Sequence, residues 1–165
     1  MATIAAEIKQ TRPFASPAEE TAVALIRTVD VVRRMLGGVL EPYGITLQQY
    51  NVLRILRGAG EKGLPTLEIA ERMIEQTPGI TRLVDRLEAK KLVVRERCAT
   101  DRRQVFCRIT AGGVALAGRL DAPMRHAADA ALQTLRKKEL AQLLDLLGRA
   151  RDGVRSLMQQ QEVRS

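Results

Sequence analysis

The chain has no tryptophan, only two phenylalanines and two tyrosines, a single histidine (His126) and two cysteines (Cys98 and Cys107). With so few aromatics, Leu, Val, Ile and Ala must fill the core, a composition that suits helices. Two cysteines make neither a disulfide framework nor a metal site. One histidine, with no paired-carboxylate, glycine-loop or nucleophile motif, leaves almost no room for an enzyme. No cofactor and no metal are expected. No apolar run approaches the roughly 20 residues of a membrane span, and the opening MATIAAEIKQTRPF lacks the apolar stretch of a secretory leader. The expectation is a cytoplasmic protein without a membrane partner. Acids are also in short supply: 19 against 27 Lys and Arg, a formal charge of +8. An excess of that size suits a polyanion, nucleic acid above all.

What is present fits one folded domain. The chain has 165 residues, of which 45% are hydrophobic, enough to bury a core. Residues 1–16 read as a flexible arm or a short leading helix. Ser16 caps a helix, with Pro17 in its first turn and Glu19 and Glu20 near the positive dipole end. Ala22, Leu25, Ile26, Val29, Val32, Leu36, Val39 and Leu40 then recur at helical spacing. Gly37-Gly38 weakens this helix late, and residues 42–44 end it. Thr46 caps a second helix with Tyr50, Leu53, Ile55 and Leu56 apolar, and residues 58–63 read as a loop. Thr66 is expected to cap a short third helix with Leu67, Ile69, Ala70 and Met73 inward.

Residues 77–110 concentrate the charge, with nine basic side chains against four acidic ones. Thr77 reads as the cap of a fourth helix and Pro78 as its first position. Ile80, Leu83, Val84 and Leu87 form the buried stripe. Pro78, Thr81, Arg82 and Asp85 lie opposite, with Arg86 on the flank. Two β-like runs follow, 92–97 and 104–109, joined by a polar loop. Thr110 caps a long fifth helix, expected to be interrupted near Pro123. From Lys137 a last helix carries Leu140, Leu143, Leu147, Ala150, Val154 and Leu157 at coiled-coil-like spacing, which points to a dimer contact.

Helices two to four and the hairpin make a winged helix-turn-helix, a mainly α fold with a small two-stranded β-wing. The major groove admits one helix, whose N-terminal side chains reach base edges. The expected DNA-binding residues are Thr77, Pro78, Gly79, Thr81, Arg82 and Arg86 on the helix, and Arg97, Arg102 and Arg103 on the wing. The wing arginines suit the negative potential of the minor groove. Asp101 is expected to stabilise the wing by holding a neighbouring arginine.

The run ITRLVDRLEAKKLVVRERCATDRRQVFCRITAGG resembles the MarR family of bacterial transcriptional regulators. The wing pattern Asp101-x-Arg103, five residues, Ile109-Thr110 matches that family's signature, with Ile109 where Leu is usual. LPTLEIAERM matches its first helix-turn-helix helix, although Ile74 stands where a small residue is usual. The resemblance extends over nearly the whole chain. It implies a single domain over 1–165, with a DNA-binding lobe at 46–110 between dimerisation helices at 17–44 and 111–160. It also implies a homodimer reading a pseudo-palindromic operator on double-stranded DNA. Leu25, Val29, Leu140, Leu143, Leu147, Val154 and Leu157 would lie in the dimer interface. Repression relieved by a small aromatic or phenolic effector is the family's usual mode, and Tyr43, Tyr50, Arg54 and His126 are candidates to line its pocket.

Two readings compete. In one, Cys98 among arginines has a lowered pKa and acts as a redox trigger; the plainer account is a wing-tip position tolerant of a small side chain. In the other, the basic hairpin docks an acidic protein partner rather than DNA.

Overall fold

A computed structural model describes residues 3–75, 79–97 and 105–163. It falls into two compact units, one ending at Ala128 and the other beginning at Asp129. Seven helices and three short strands are described: α1 (Ile4–Glu7), α2 (Pro17–Leu40), α3 (Leu47–Ala59), β1 (Leu64–Pro65), α4 (Thr66–Arg72), α5 (Ile80–Ala89), β2 (Val93–Arg97), β3 (Val105–Ile109), α6 (Ala111–Ala131) and α7 (Lys137–Glu162). No helix among them is long and apolar enough to cross a membrane.

Local chemistry sets most helix starts. The Ser16 hydroxyl accepts from Glu19 N–H at 3.1 Å, with Pro17 behind it. Thr46 and Gln49 form a reciprocal capping box at the head of α3, which satisfies two amides that the first turn would otherwise orphan. Thr110 does double duty: its hydroxyl accepts from Gly113 N–H and donates to the Lys91 carbonyl, fixing α6 to the loop before β2. α1 is capped by Thr3 and attached to α2 through an ion pair between Glu7 and Arg27 at 2.7 Å.

The core of the first unit joins all its larger elements. Leu40 of α2, Val52, Leu53 and Leu56 of α3, Ile69 of α4, Val84 and Leu87 of α5, Cys107 of β3 and Leu120 of α6 are fully buried. A buried Leu or Val contributes on the order of 1.5–3 kcal/mol, so this cluster holds the helix-turn-helix to the sheet. The 3.6-residue period of α5 places Leu83, Val84 and Leu87 inward, and Ile80 packs partly against the cluster.

Several expectations change. The wing is a three-stranded antiparallel sheet, ordered β1-β3-β2, with Leu64 opposite Cys107 and Arg97 opposite Val105. A two-residue strand has no room to show alternation, and Pro65 fits because β1 lies at the edge. Residues 58–63 are not a simple loop: α3 runs to Ala59 and a 3-10 turn spans Gly60–Lys62. Thr66 is the first residue of α4, not its cap; Pro65 holds that place, and the Thr66 hydroxyl sits 3.6 Å from Cys107 Sγ. Leu67 is 73% exposed, because two residues along a helix turn about 200° and Ile69 takes the inward side. α5 starts at Ile80 with Gly79 in the cap position, two residues later than expected; Thr77 lies outside the described residues. α6 continues through Pro123. Proline removes one backbone donor, but Leu116, Ala117 and Leu120 before it and Ala127 after it are all buried and hold the helix in one piece.

The second unit is dominated by α7. Glu139 accepts from the Arg136 backbone N–H at 2.7 Å and stabilises its first turn. Leu140, Leu143 and Leu147 are half-buried, while Leu144, Leu146, Val154, Leu157 and Met158 are exposed.

Candidate nucleic-acid interface

α5 separates its two faces sharply. Its apolar stripe is in the core, and Thr81, Arg82, Asp85 and Arg86 are exposed on the other side. Gly79 caps it at φ +100°, a left-handed conformation that a side chain would strain. Its carbonyl accepts from Arg82 and Leu83 N–H at 2.9 and 3.3 Å. At Gly79 the chain thus turns tightly into the helix. Arg97 is exposed at the end of β2, where the hairpin leaves the body. Thr77, Pro78, Asp101, Arg102 and Arg103 lie outside the described residues, as does Cys98. Cys107 is fully buried, which leaves it to packing.

One residue that sequence reasoning missed organises this surface. Arg95 of β2 reaches across to α5. Its guanidinium donates to Asp85, to Glu88 at 3.3 Å and to the Thr81 carbonyl at 3.1 Å, while its backbone N–H donates to Glu88 at 3.1 Å. Burial works against the charge on Arg95, but Asp85 and then Glu88 outweigh it and the guanidinium's pKa is raised. Asp85 and Glu88 therefore have a purpose in a basic surface: they lock the wing to the helix. The sequence signal was there in two acids on one α5 face at i, i+3 spacing, but nothing local says which arginine they meet. Arg95→Ala is expected to lower stability by about 1–2 kcal/mol and to weaken DNA binding without removing a DNA contact. Arg95→Lys should recover only part of both, because an ammonium cannot span the fork. Urea denaturation and operator titration of the two variants measure this.

A cavity of about 670 Å³ opens between α2, α3 and α6. Tyr50, Arg54 and Arg57 of α3, Arg33 of α2 and Asp121 and Met124 of α6 are in its wall. Of the four residues expected to line such a pocket, Tyr50 and Arg54 do. Tyr43 instead lies under Arg119, 5.9 Å from guanidinium to ring centre, and His126 is exposed away from it. Burial raises the pKa of the Tyr50 phenol, with Asp121 adding to the effect and Arg54 and Arg57 opposing it.

Arg57 and Asp121 form a two-pronged pair at 2.9 and 2.8 Å, joining α3 to α6. The Arg57 hydrogen bonds hold the Asp121 carboxyl below its ordinary range, against a smaller opposing effect of burial. A depressed folded-state pKa stabilises the fold above the unfolded value of about 3.9, and that contribution is lost as pH falls through the folded value. Asp121→Asn is therefore expected to cost no more than about 1 kcal/mol at neutral pH, the pair being partly solvated. The gap to wild type should close below about pH 4. Urea denaturation at neutral pH and at about pH 3 tests the sign.

A capped helix-turn-helix with a polar, basic helix face beside a β-hairpin defines a winged-helix DNA-binding protein. Comparison with known proteins gives the family. Residues 43–104 match the model described as MarR family. The MarR transcription factor from Planctomyces limnophilus is 35% identical, with a TM-score of 0.65, covering 82% of this chain and 98% of that one. The HTH-type transcriptional regulator MhqR of Bacillus subtilis is 28% identical over 129 residues, 77% of this chain and 86% of MhqR. Two more distant structures share the fold. One is the S. aureus MepR–DNA complex, 24% identical with a TM-score of 0.72 over 79% of this chain and 96% of that one. The other is Bordetella bronchiseptica BpsR, whose DNA binding is regulated by 6-hydroxynicotinic acid, 22% identical with a TM-score of 0.70 over 80% and 98%. The chain belongs to the MarR family. It is a DNA-binding transcriptional regulator and not an enzyme.

Proposed function

We propose that this chain acts as a homodimeric repressor that lays α5 in the major groove and its hairpin along the adjacent minor groove of a pseudo-palindromic operator, and that a small molecule in the α2–α3–α6 cavity relieves repression. The observation that carries the reading is the exposed α5 face, where Thr81, Arg82 and Arg86 stand free of the core next to the hairpin that bears Arg97. The expected wing contacts of Arg102 and Arg103, and of Thr77 and Pro78 at the helix start, belong to this proposal, as does a stabilising role for Asp101.

Dimerisation is supported by apolar surface. On α2, Leu25 and Val29 are 41% and 46% exposed, and on α7 Val154 and Leu157 are 56% and 62% exposed. Long helices with uncovered apolar stripes need a partner. A second copy supplies one and sets two reading helices roughly one helical turn (~34 Å) apart.

The test is binding to an operator selected from a random-sequence library, against unselected DNA of equal length. Specific binding with a log–log salt slope of about −0.9 per phosphate contact supports the reading. Equal affinity for both DNAs sinks it.

A further inference from the structure

The C-terminal end of α5 is tied to the body on two sides. Lys90 Nζ donates to the Gly44 carbonyl at 2.8 Å, at the corner between α2 and α3. Lys91, next along, takes φ +57°, a left-handed conformation uncommon for a residue with a side chain. Three hydrogen bonds hold it there. Its N–H donates to the Glu88 carbonyl at 2.8 Å, Leu92 N–H donates to the Leu87 carbonyl at 3.0 Å, and its own carbonyl accepts from the Thr110 hydroxyl at 2.8 Å. The last of these reaches the head of α6.

The corner that receives Lys90 is itself firmly held. Gly44 follows a 3-10 turn over Glu41–Tyr43 at φ +64° and donates its N–H to the Glu41 carbonyl at 2.9 Å. Leu40 and Ile45 on either side are buried. Arg119 of α6 lies over the Tyr43 ring. The corner thus joins α2, α3 and α6, and Lys90 adds α5 to it. Lys90 is one of the nine basic side chains of 77–110. Its ammonium is nevertheless engaged by a carbonyl of the body, at the opposite end of α5 from Arg82.

We propose that Lys90 is a positioning residue for operator recognition: its bond to Gly44 sets the angle of α5 against the α2–α3 corner, and with it the half-site spacing that a dimer accepts. The proposal rests on the dimeric reading of the chain and says what fixes its spacing. The core grips α5 along one stripe, Leu83, Val84 and Leu87, and a helix held along a line can rock about it. A tie from its end to a different element stops the rocking. Arg95 fastens the hairpin to α5, so the two move together. The lever is long: ten residues at ~1.5 Å each span ~15 Å, so a swing of about 10° at Lys90 moves the first turn by ~2.5 Å. Two copies double this to ~5 Å, more than the ~3.4 Å between successive base pairs. A bond that adds little to stability thus decides which spacing is read.

The experiment uses a selected operator with its half-sites at their own spacing, with one base pair added or removed between them, and a single half-site. Affinity for each is measured on wild type, Lys90→Met, Lys90→Arg and Lys91→Gln, with thermal melts to confirm folding. Wild type is expected to favour its own spacing. Lys90→Met keeps the length of the side chain without the donor. It should narrow the penalty for a changed spacing by about 2- to 10-fold, the range that one hydrogen bond covers. Its affinity for a single half-site and its salt slope should stay those of wild type. Lys90→Arg restores a donor and should recover part of the preference. Lys91→Gln removes the same charge one residue along and should leave the preference unchanged. A full wild-type preference in Lys90→Met would overturn the proposal, as would an equal loss at every spacing. So would a salt slope lower by about 0.9 in that variant, the mark of a phosphate contact. A wild type indifferent to spacing overturns the dimeric reading, and the proposal with it.

Discussion

Gly113→Ala is expected to destabilise the protein by about 1–3 kcal/mol and to cost it DNA binding in proportion. Gly113 is buried in the first turn of α6. A Cβ built there would stand 2.3 Å from the Leu92 carbonyl oxygen and 2.6 Å from Ile109 Cγ1. Neither neighbour can yield easily. The Leu92 carbonyl already accepts from Thr110 N–H at 3.1 Å, and Ile109 is the last residue of β3, paired with Val93. The added methyl must push α6 off the base of the hairpin, and the hairpin carries the wing. Gly118→Ala is the contrast. It lies farther along the same helix with nothing within 4 Å of its would-be Cβ, so loss of backbone freedom in the unfolded chain should stabilise by about 0.5–1 kcal/mol. Thermal melts of both variants test the pair. A Gly113→Ala protein that melts like wild type contradicts the packing described.

The second large effect concerns reading. Arg82→Ala is expected to cost about 1–3 kcal/mol of operator affinity if the guanidinium forks a guanine edge, and to flatten base preference at one position of each half-site. Arg82 is exposed in the first turn of α5, the part of such a helix that meets base edges. Alanine is a good helix former, so the fold should be untouched and circular dichroism should show it. Arg86→Ala, farther along the helix, is the comparison. A phosphate contact there predicts a uniform loss across sequences and a salt slope lower by about 1. Selection of operators by each variant, with affinity measured at several salt concentrations, separates the roles. If Arg82→Ala keeps full preference and loses affinity uniformly, Arg82 binds phosphate and the reading falls to other side chains.

Within the charge-rich 77–110 segment, the two faces of α5 were legible because their pattern is local. Leu83, Val84 and Leu87 alternate with polar residues at a helical period, and that period alone forces Thr81, Arg82 and Arg86 to the outside. Caps at Ser16, Thr46 and Thr110 were legible for the same reason: the hydroxyl and the amide that it satisfies lie three residues apart. Elsewhere pattern misled. Pro123 looks like a break, yet burial on both sides of it keeps α6 continuous. Leu67 looks like a core residue, yet Ile69 already holds the inward side of a seven-residue helix.

By itself the sequence determined a helical, aromatic-poor domain with a basic helix-and-hairpin, and hence a duplex as partner. Only the tertiary structure decided how that surface is braced. Arg95 meets Asp85 ten residues away, Gln48 meets Glu75 across 27, and Arg57 meets Asp121 across 64. It also decided that two residues, Leu64 and Pro65, would add a third strand. Periodicity encodes neighbours within one element, because the backbone geometry of that element is known in advance. Which side chains meet across elements depends on how the elements pack, and that packing is set jointly by the whole core.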